Sequence, residues 1–115
     1  MMNNLKNSVQ LVGHLGKSVD VKSLPSGSKV ASVSMATNDY YKNNKGETVQ
    51  DTQWHNLVAW GSIAESMGKY LEKGSEIMVQ GKLVYNTYED KDGNSRTNSE
   101  IRVNEFIKLS KDSKE

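Results

Sequence analysis

Apolar residues alternate with polar ones in five separate stretches, and one segment between the third and the fourth breaks that alternation with a helical spacing. Val9, Leu11 and Leu15 share a register with Gly13 against Gln10 and His14. Ala31, Val33 and Met35 alternate with Ser32 and Ser34, and Leu57 and Ala59 follow His55. Ile77, Val79 and Leu83 share a register with Gly81, and Ile101 and Val103 alternate with Arg102 and Asn104. A period of two is the signature of a strand with one buried face. Glycines inside two of these registers point to sharp coiling or bulges, as a small barrel needs. Turns are signalled at "LPSGS" (24–28), "NNKGE" (43–47) and "DKDGNS" (90–95), the last with the hairpin dipeptide Asp92-Gly93. The second lies in a polar stretch from about Asn38 to Thr52 that reads as a long loop.

The interrupting segment, Ser62 to Gly74, predicts a helix. Ile63, Ala64, Met67, Tyr70 and Leu71 fall on one stripe, which makes Tyr70 a core residue. Ser62 with Glu65 reads as a capping box, and Gly74 as the left-handed residue that ends the helix. Three strands, a helix and two strands predict an all-β OB-fold: a five-stranded Greek-key barrel with one α-helix between strands 3 and 4, a fold in which one barrel face and two loops take oligonucleotides. The length of 115 residues fits one domain, placed at 1–109, followed by a short polar tail at 110–115 that should be disordered.

Several functions are disfavoured. With no cysteine there is no disulfide and no thiolate metal site. The N-terminal segment has no apolar run and no stretch approaches the length of a membrane span, so a soluble cytoplasmic protein is expected. His14 and His55 lie on different strands, and no phosphate loop, nucleophile elbow or paired helical carboxylate is present. No enzymatic activity, cofactor or metal is expected. Asp90 and Asp92 echo a calcium loop only faintly, because Ile101 stands where its glutamate would be. A solvated hairpin tip fits better. The net charge of +1 means that any basic surface has to arise from local arrangement.

The aromatic residues carry more. In "DTQWHNLVAWG" (51–61), strand parity sends Trp54, Asn56 and Trp60 to one face and His55, Leu57 and Ala59 to the other. Each Trp alone could be core; two together beside Asn56 mark a ligand surface. Tyr40 and Tyr41 open the polar stretch, and Tyr85 and Tyr88 flank the last hairpin. Lys42, Lys45, Lys82, Lys91 and Arg96 sit among them. Aromatic faces stack on unpaired bases of any sequence, and Lys and Arg follow the phosphates. His55 reads as a structural residue with a satisfied hydrogen bond.

These residues together resemble the bacterial single-stranded-DNA-binding protein (SSB) family of the homotetrameric type, over roughly residues 5–104. The similarity is carried by "NSVQLVGHLGKSVDVK" (7–22), "VSMATN" (33–38), "TQWHNLVAWG" (52–61), "AESMGKYLEKGSEIMVQGKL" (64–83) and "EDKDGNSR" (89–96). It implies an OB-fold that coats single-stranded DNA with little sequence preference in replication, recombination and repair, as a homotetramer at the nucleoid. It also implies stacking by Trp54, by Trp60 at a position usually held by Phe, by Tyr88 at a position often held by Trp, and by Tyr41, or Tyr40 if the loop gap falls differently. Lys42, Lys45, Asn56, Lys82 and Arg96 are then the backbone and polar contacts, and His55 lies at a subunit interface. Family members usually continue into an acidic tip that recruits other enzymes. Here the sequence ends "KLSKDSKE", either a trimmed chain or a tail-less paralogue, so recruitment through a tail is not carried over. The rival readings are a primosomal OB accessory and an OB module that stacks its Trp residues on sugars or a protein partner.

Overall fold

A computed structural model describes residues 5–109. The expected tail at 110–115 lies outside them. Six strands and one helix follow a short 3-10 turn at Leu5–Asn7: β1 (Val9–Leu15), β2 (Asp20–Ser23), β3 (Lys29–Lys42), β4 (Thr48–Trp60), α1 (Ser62–Tyr70), β5 (Glu76–Glu89) and β6 (Ser95–Lys108). The sheet runs β1-β5-β6-β4-β3-β2, and a further pairing of β1 with β3 closes five of the strands into a barrel. The expected OB architecture is therefore present, with β2 as an appended sixth strand. All four β2 residues are exposed, so no buried face imposes an alternation there.

Burial explains the closure. Leu15, Ala31, Val33, Met35, Leu57, Ala59, Ile77, Val79, Ile101 and Val103 fill the barrel from the five closed strands, and Ala64, Met67 and Leu71 plug one end. Burying each large aliphatic side chain among these contributes about 1.5–3 kcal/mol. β1 passes between two partners, pairing with β5 over Val9–His14 and with β3 at His14 and Leu15. This transfer brings the Gly13 backbone against Ala36, and a Cβ at Gly13 would collide with the Ala36 carbonyl oxygen. Gly81 likewise meets the Arg102 carbonyl oxygen, beside the bulge between Gln80 and Gly81. Both strand glycines thus serve close backbone approach at points where the sheet coils.

The polar stretch 38–52 is not a loop. β3 and β4 stay paired through it, from Val30 with Trp60 out to Lys42 with Thr48. Backbone pairing needs no apolar face, which is why the polar side chains concealed it. β5 and β6 form a second long hairpin, paired as far as Glu89 with Ser95. Both project: the radius of gyration is 16.5 Å, against about 13 Å for a compact domain of this length. The two tips share one turn. Asn43 Oδ1 accepts from the N–H groups of Lys45 and Glu47 at 2.9 and 3.0 Å. Asp90 Oδ1 accepts from those of Asp92 and Asn94, both at 2.9 Å. Gly46 and Gly93 follow with positive φ, the conformation that closes each turn.

The helix differs from expectation at both ends. Its N-cap is Gly61, at φ 65° and ψ −134°, with no side-chain cap hydrogen bond. Ser62 is already helical, so the capping box with Glu65 does not form. The chain enters the helix straight from β4, held by Gly61 N–H to Lys29 O at 2.9 Å, and that sharp entry takes a glycine. The helix ends at Tyr70, and Leu71 is extended at φ −108° and ψ 147°. Gly74 instead closes a following turn and donates to Leu15 O at 2.9 Å. Because the helix stops, Leu71 enters the core while Tyr70 stays 56% exposed, with the Lys69 ammonium 5.3 Å from its ring centroid. Tyr70 is thus not a core residue.

Candidate nucleic-acid interface

Register across the barrel assembles an outer face from β4, β6 and β5. On β4 the outward set is Trp54, Asn56, Val58 and Trp60, while Leu57 and Ala59 are wholly buried on the inward side. β4 runs parallel to β6, with Leu57 beside Ile101 and Val58 beside Arg102. β6 then pairs Arg102 with Lys82, Glu100 with Val84, Asn98 with Asn86 and Arg96 with Tyr88. Asn56 ties the strands together, its Nδ2 donating to Asn98 Oδ1 and Ser99 O, both at 3.4 Å.

The indoles stand out from this face. Trp54 is 62% exposed and Trp60 46%. Six positions along one strand place them about 20 Å apart, too far to share one base. Trp54 lies over Gly16, which directly follows β1 and where a Cβ would come within 2.5 Å of its Cζ3. Its base also borders a shallow pocket lined by His55, Asn56, Leu83, Ser99, Glu100 and Ile101. Trp60 has the Arg102 guanidinium over its ring, with Cζ 5.9 Å from the centroid.

The remaining sequence candidates sit on the two hairpins. Tyr40 and Tyr41 are both exposed near the end of β3. Tyr40 pairs with Gln50 and so has the parity of Trp54, whereas Tyr41, paired with Val49, has the parity of His55. Lys42 ends β3, and Lys45 lies in the turn beyond it. Tyr88 is exposed on β5 opposite Arg96. Arg96 donates from Nε to Asp90 Oδ2 at 2.8 Å. That bond, and then the Asn94 N–H, hold the Asp90 carboxyl below its ordinary value of 3.8. The carboxylate is thus committed to shaping the tip. His55, half-buried, shares a 3.0 Å hydrogen bond between its Nε2 and Thr37 Oγ1, a satisfied position of the kind expected for it.

Arg102 was missed by sequence reasoning. Its place depends on the parallel pairing of β4 with β6, a contact between segments far apart in the chain that no local pattern announces. Among the described residues there is no group of three His, Asp or Glu side chains able to hold a metal ion, and no helix long and apolar enough to cross a membrane.

A closed OB barrel whose outer sheet presents separated, exposed indoles among amide and cationic side chains belongs to the class built for unpaired nucleic-acid strands. The chain belongs to the single-strand binding protein family, whose model matches residues 6–109. It is 39% identical over 106 residues to single-stranded DNA-binding protein 1 of Xylella fastidiosa, covering 91% of this chain and 78% of that protein. It is 36% identical to the single-stranded DNA-binding protein of Neisseria meningitidis serogroup A, covering 90% of this chain and 59% of the relative. The chain therefore spans little more than half of the Neisseria protein. Among solved structures, the Plasmodium falciparum SSB complex with ssDNA superposes with a TM-score of 0.84 at 32% identity, covering 96% of this chain and all of that one. A deletion mutant of the Thermus aquaticus single-stranded DNA binding protein gives a TM-score of 0.77 at 29% identity, covering 90% of this chain and 50% of that one. The family consists of DNA-binding proteins, not enzymes.

Proposed function

We propose that this chain binds single-stranded DNA with little sequence preference and coats it in replication, recombination and repair. The observation that carries this reading is the pair of exposed indoles, Trp54 and Trp60, about 20 Å apart on one outward strand face. Stacking on an indole is indifferent to base identity, because every base has a π-face. Spacing the platforms along a strand lets one DNA chain engage both. Tyr88 and Tyr40, or Tyr41 from the other face of the same hairpin, extend the stacking path. Lys42, Lys45, Lys82 and Arg96 meet phosphates along it, and Asn56 contributes a polar contact. Near-neutral overall charge leaves much of the affinity to stacking. Assembly into a homotetramer, with His55 at a subunit interface, multiplies these contacts through effective concentration. The site of action follows from the ligand: single-stranded DNA exposed in the cytoplasm, at the nucleoid. Titration with oligo-dT, following Trp fluorescence at two salt concentrations, tests the reading. Quenching at low salt that weakens at high salt is expected. Absence of quenching at low salt overturns it.

A further inference from the structure

The chain has two arginines, Arg96 and Arg102, and the structure commits them differently. Arg96 is engaged by Asp90 at 2.8 Å, within its own hairpin. Arg102 is exposed, and no carboxylate among the described residues forms an ion pair with it. Among the described residues its side chain meets the Trp60 ring, 5.9 Å away. Arg102 also belongs to a continuous outward row. Registers place Asp20 beside Ser32, Ser32 beside Val58, Val58 beside Arg102, and Arg102 beside Lys82. In the adjacent row Lys22 pairs with Val30, and Val30 with Trp60. Two further cations share this outward face: Lys82, one strand spacing of about 4.8 Å from Arg102, and Lys22, which is ion-paired with Asp20 at 3.9 Å.

We infer that Arg102 is a DNA-binding residue with two linked tasks: it holds the Trp60 indole in place for a stacked base and neutralises that nucleotide's phosphate. The chemistry suits an arginine. A guanidinium stacks flat on an aromatic ring and still directs N–H groups outward to a phosphate, which a compact ammonium does less well. With the cation on the ring, the base uses the uncovered part of the indole, which is 46% exposed. Its phosphate then lies between Arg102 and Lys82. The inference rests on the single-stranded-DNA reading and adds a residue to it. Trp60 is thereby given its own phosphate contact, separate from the Lys42 and Lys45 hairpin.

The test compares the intact chain with Arg102→Gln, Arg102→Lys and Arg96→Gln, titrating oligo-dT across a salt series. Arg102→Gln should weaken binding about 5- to 20-fold at low salt and lower the slope of log affinity against log salt by about 0.7, the value for one phosphate on a single strand. Arg102→Lys should keep the slope but lose a few-fold in affinity, because the charge remains and the ring contact is reduced. In the background of Trp60→Ala, the few-fold loss on going from Arg102 to Lys should vanish, since the two side chains act together. Arg96→Gln should change the slope less than Arg102→Gln does. Far-ultraviolet circular dichroism on each variant verifies the fold, and the exposed position of residue 102 makes both substitutions tolerable. Binding by the intact chain with an unchanged slope and less than a two-fold loss in Arg102→Gln overturns this inference alone. No binding by the intact chain overturns the single-stranded-DNA reading as well.

Discussion

The Trp54 indole occupies the space that any side chain on Gly16 would need: a Cβ there would fall 2.5 Å from Cζ3 and 2.8 Å from Cη2. Gly16 directly follows β1, and its N–H donates to Ser34 O at 3.0 Å. It has no positive φ, so the backbone itself accepts another residue. Gly16→Ala should therefore act on the ring and little on the fold. Stability should change by less than about 1 kcal/mol, while Trp54 emission shifts and oligo-dT affinity drops several-fold. Parallel measurement of chemical denaturation and binding separates the two effects.

Removing the platforms themselves should have a larger effect on binding. Trp54→Ala and Trp60→Ala should each cost about 1–3 kcal/mol of oligo-dT affinity with little loss of stability, because both rings are substantially exposed. If both variants stay within a few-fold of the parent, the stacking assignment is wrong.

Gly13 and Gly81 should show the converse. A Cβ at either meets a carbonyl oxygen of the neighbouring strand, at Ala36 or Arg102, and a backbone atom cannot swing aside as a side-chain tip can. Gly13→Ala and Gly81→Ala should each destabilise the barrel by about 1–3 kcal/mol, the range for overpacking, read as a lowered denaturation midpoint. Of the two, Gly81→Ala should also disturb Arg102, since its carbonyl is the atom struck.

Acid should loosen one hairpin tip more than the other. The Asp90 carboxyl is held below its ordinary value of 3.8, foremost by Arg96 and then by the Asn94 N–H. A depressed carboxylate contributes stability above its unfolded value, and that contribution is lost as pH falls through the lower folded value. The β5–β6 tip should therefore hold above about pH 4 and loosen in stronger acid, whereas the Asn43 tip, whose turn is closed by a neutral amide oxygen with only the Glu47 carboxylate accepting from Asn43 Nδ2 at 3.2 Å, should respond less. The amide chemical shift of Asn94 against that of Lys45 provides the comparison, and Asp90→Asn should abolish the difference.

We propose that His55 links the fold to assembly. Its hydrogen bond with Thr37 is 3.0 Å long and half-buried, so Thr37→Val should cost about 1 kcal/mol. Sedimentation should give a tetramer for the parent chain. His55→Lys should shift it towards smaller species, while Thr37→Val, which keeps the imidazole, should not. A parent chain that sediments as a monomer at micromolar concentration would refute the interface role.

What could be read from the sequence was whatever buries a face. The five barrel strands announced themselves because Leu11, Val33, Leu57, Val79 and Ile101 alternate with polar neighbours, and parity alone turned Trp54 and Trp60 outward. β2 went unseen because all four of its residues are exposed, although Val21 meets Gly68 of the helix, and the outer halves of β3 and β4 because polar side chains conceal backbone pairing. Tyr70 misled because a stripe does not say where a helix stops. Arg102 could not be paired with Trp60 until the parallel contact of β4 with β6 brought them together.

That contact has a kinetic side. Each long hairpin pairs residues close in the chain, whereas Leu57 and Ile101 meet across a wide sequence separation. Local hairpins close in microseconds, and long-range pairings bear the loop-closure entropy and come later. On this ground the β3–β4 and β5–β6 hairpins should form first in folding, and the seam between β4 and β6 later. Trp60 comes from one hairpin and Arg102 from the other, as do Asn56 and Asn98. A chain caught before the seam forms has its indoles and its cations already on strands, yet has no surface on which a nucleotide can lie.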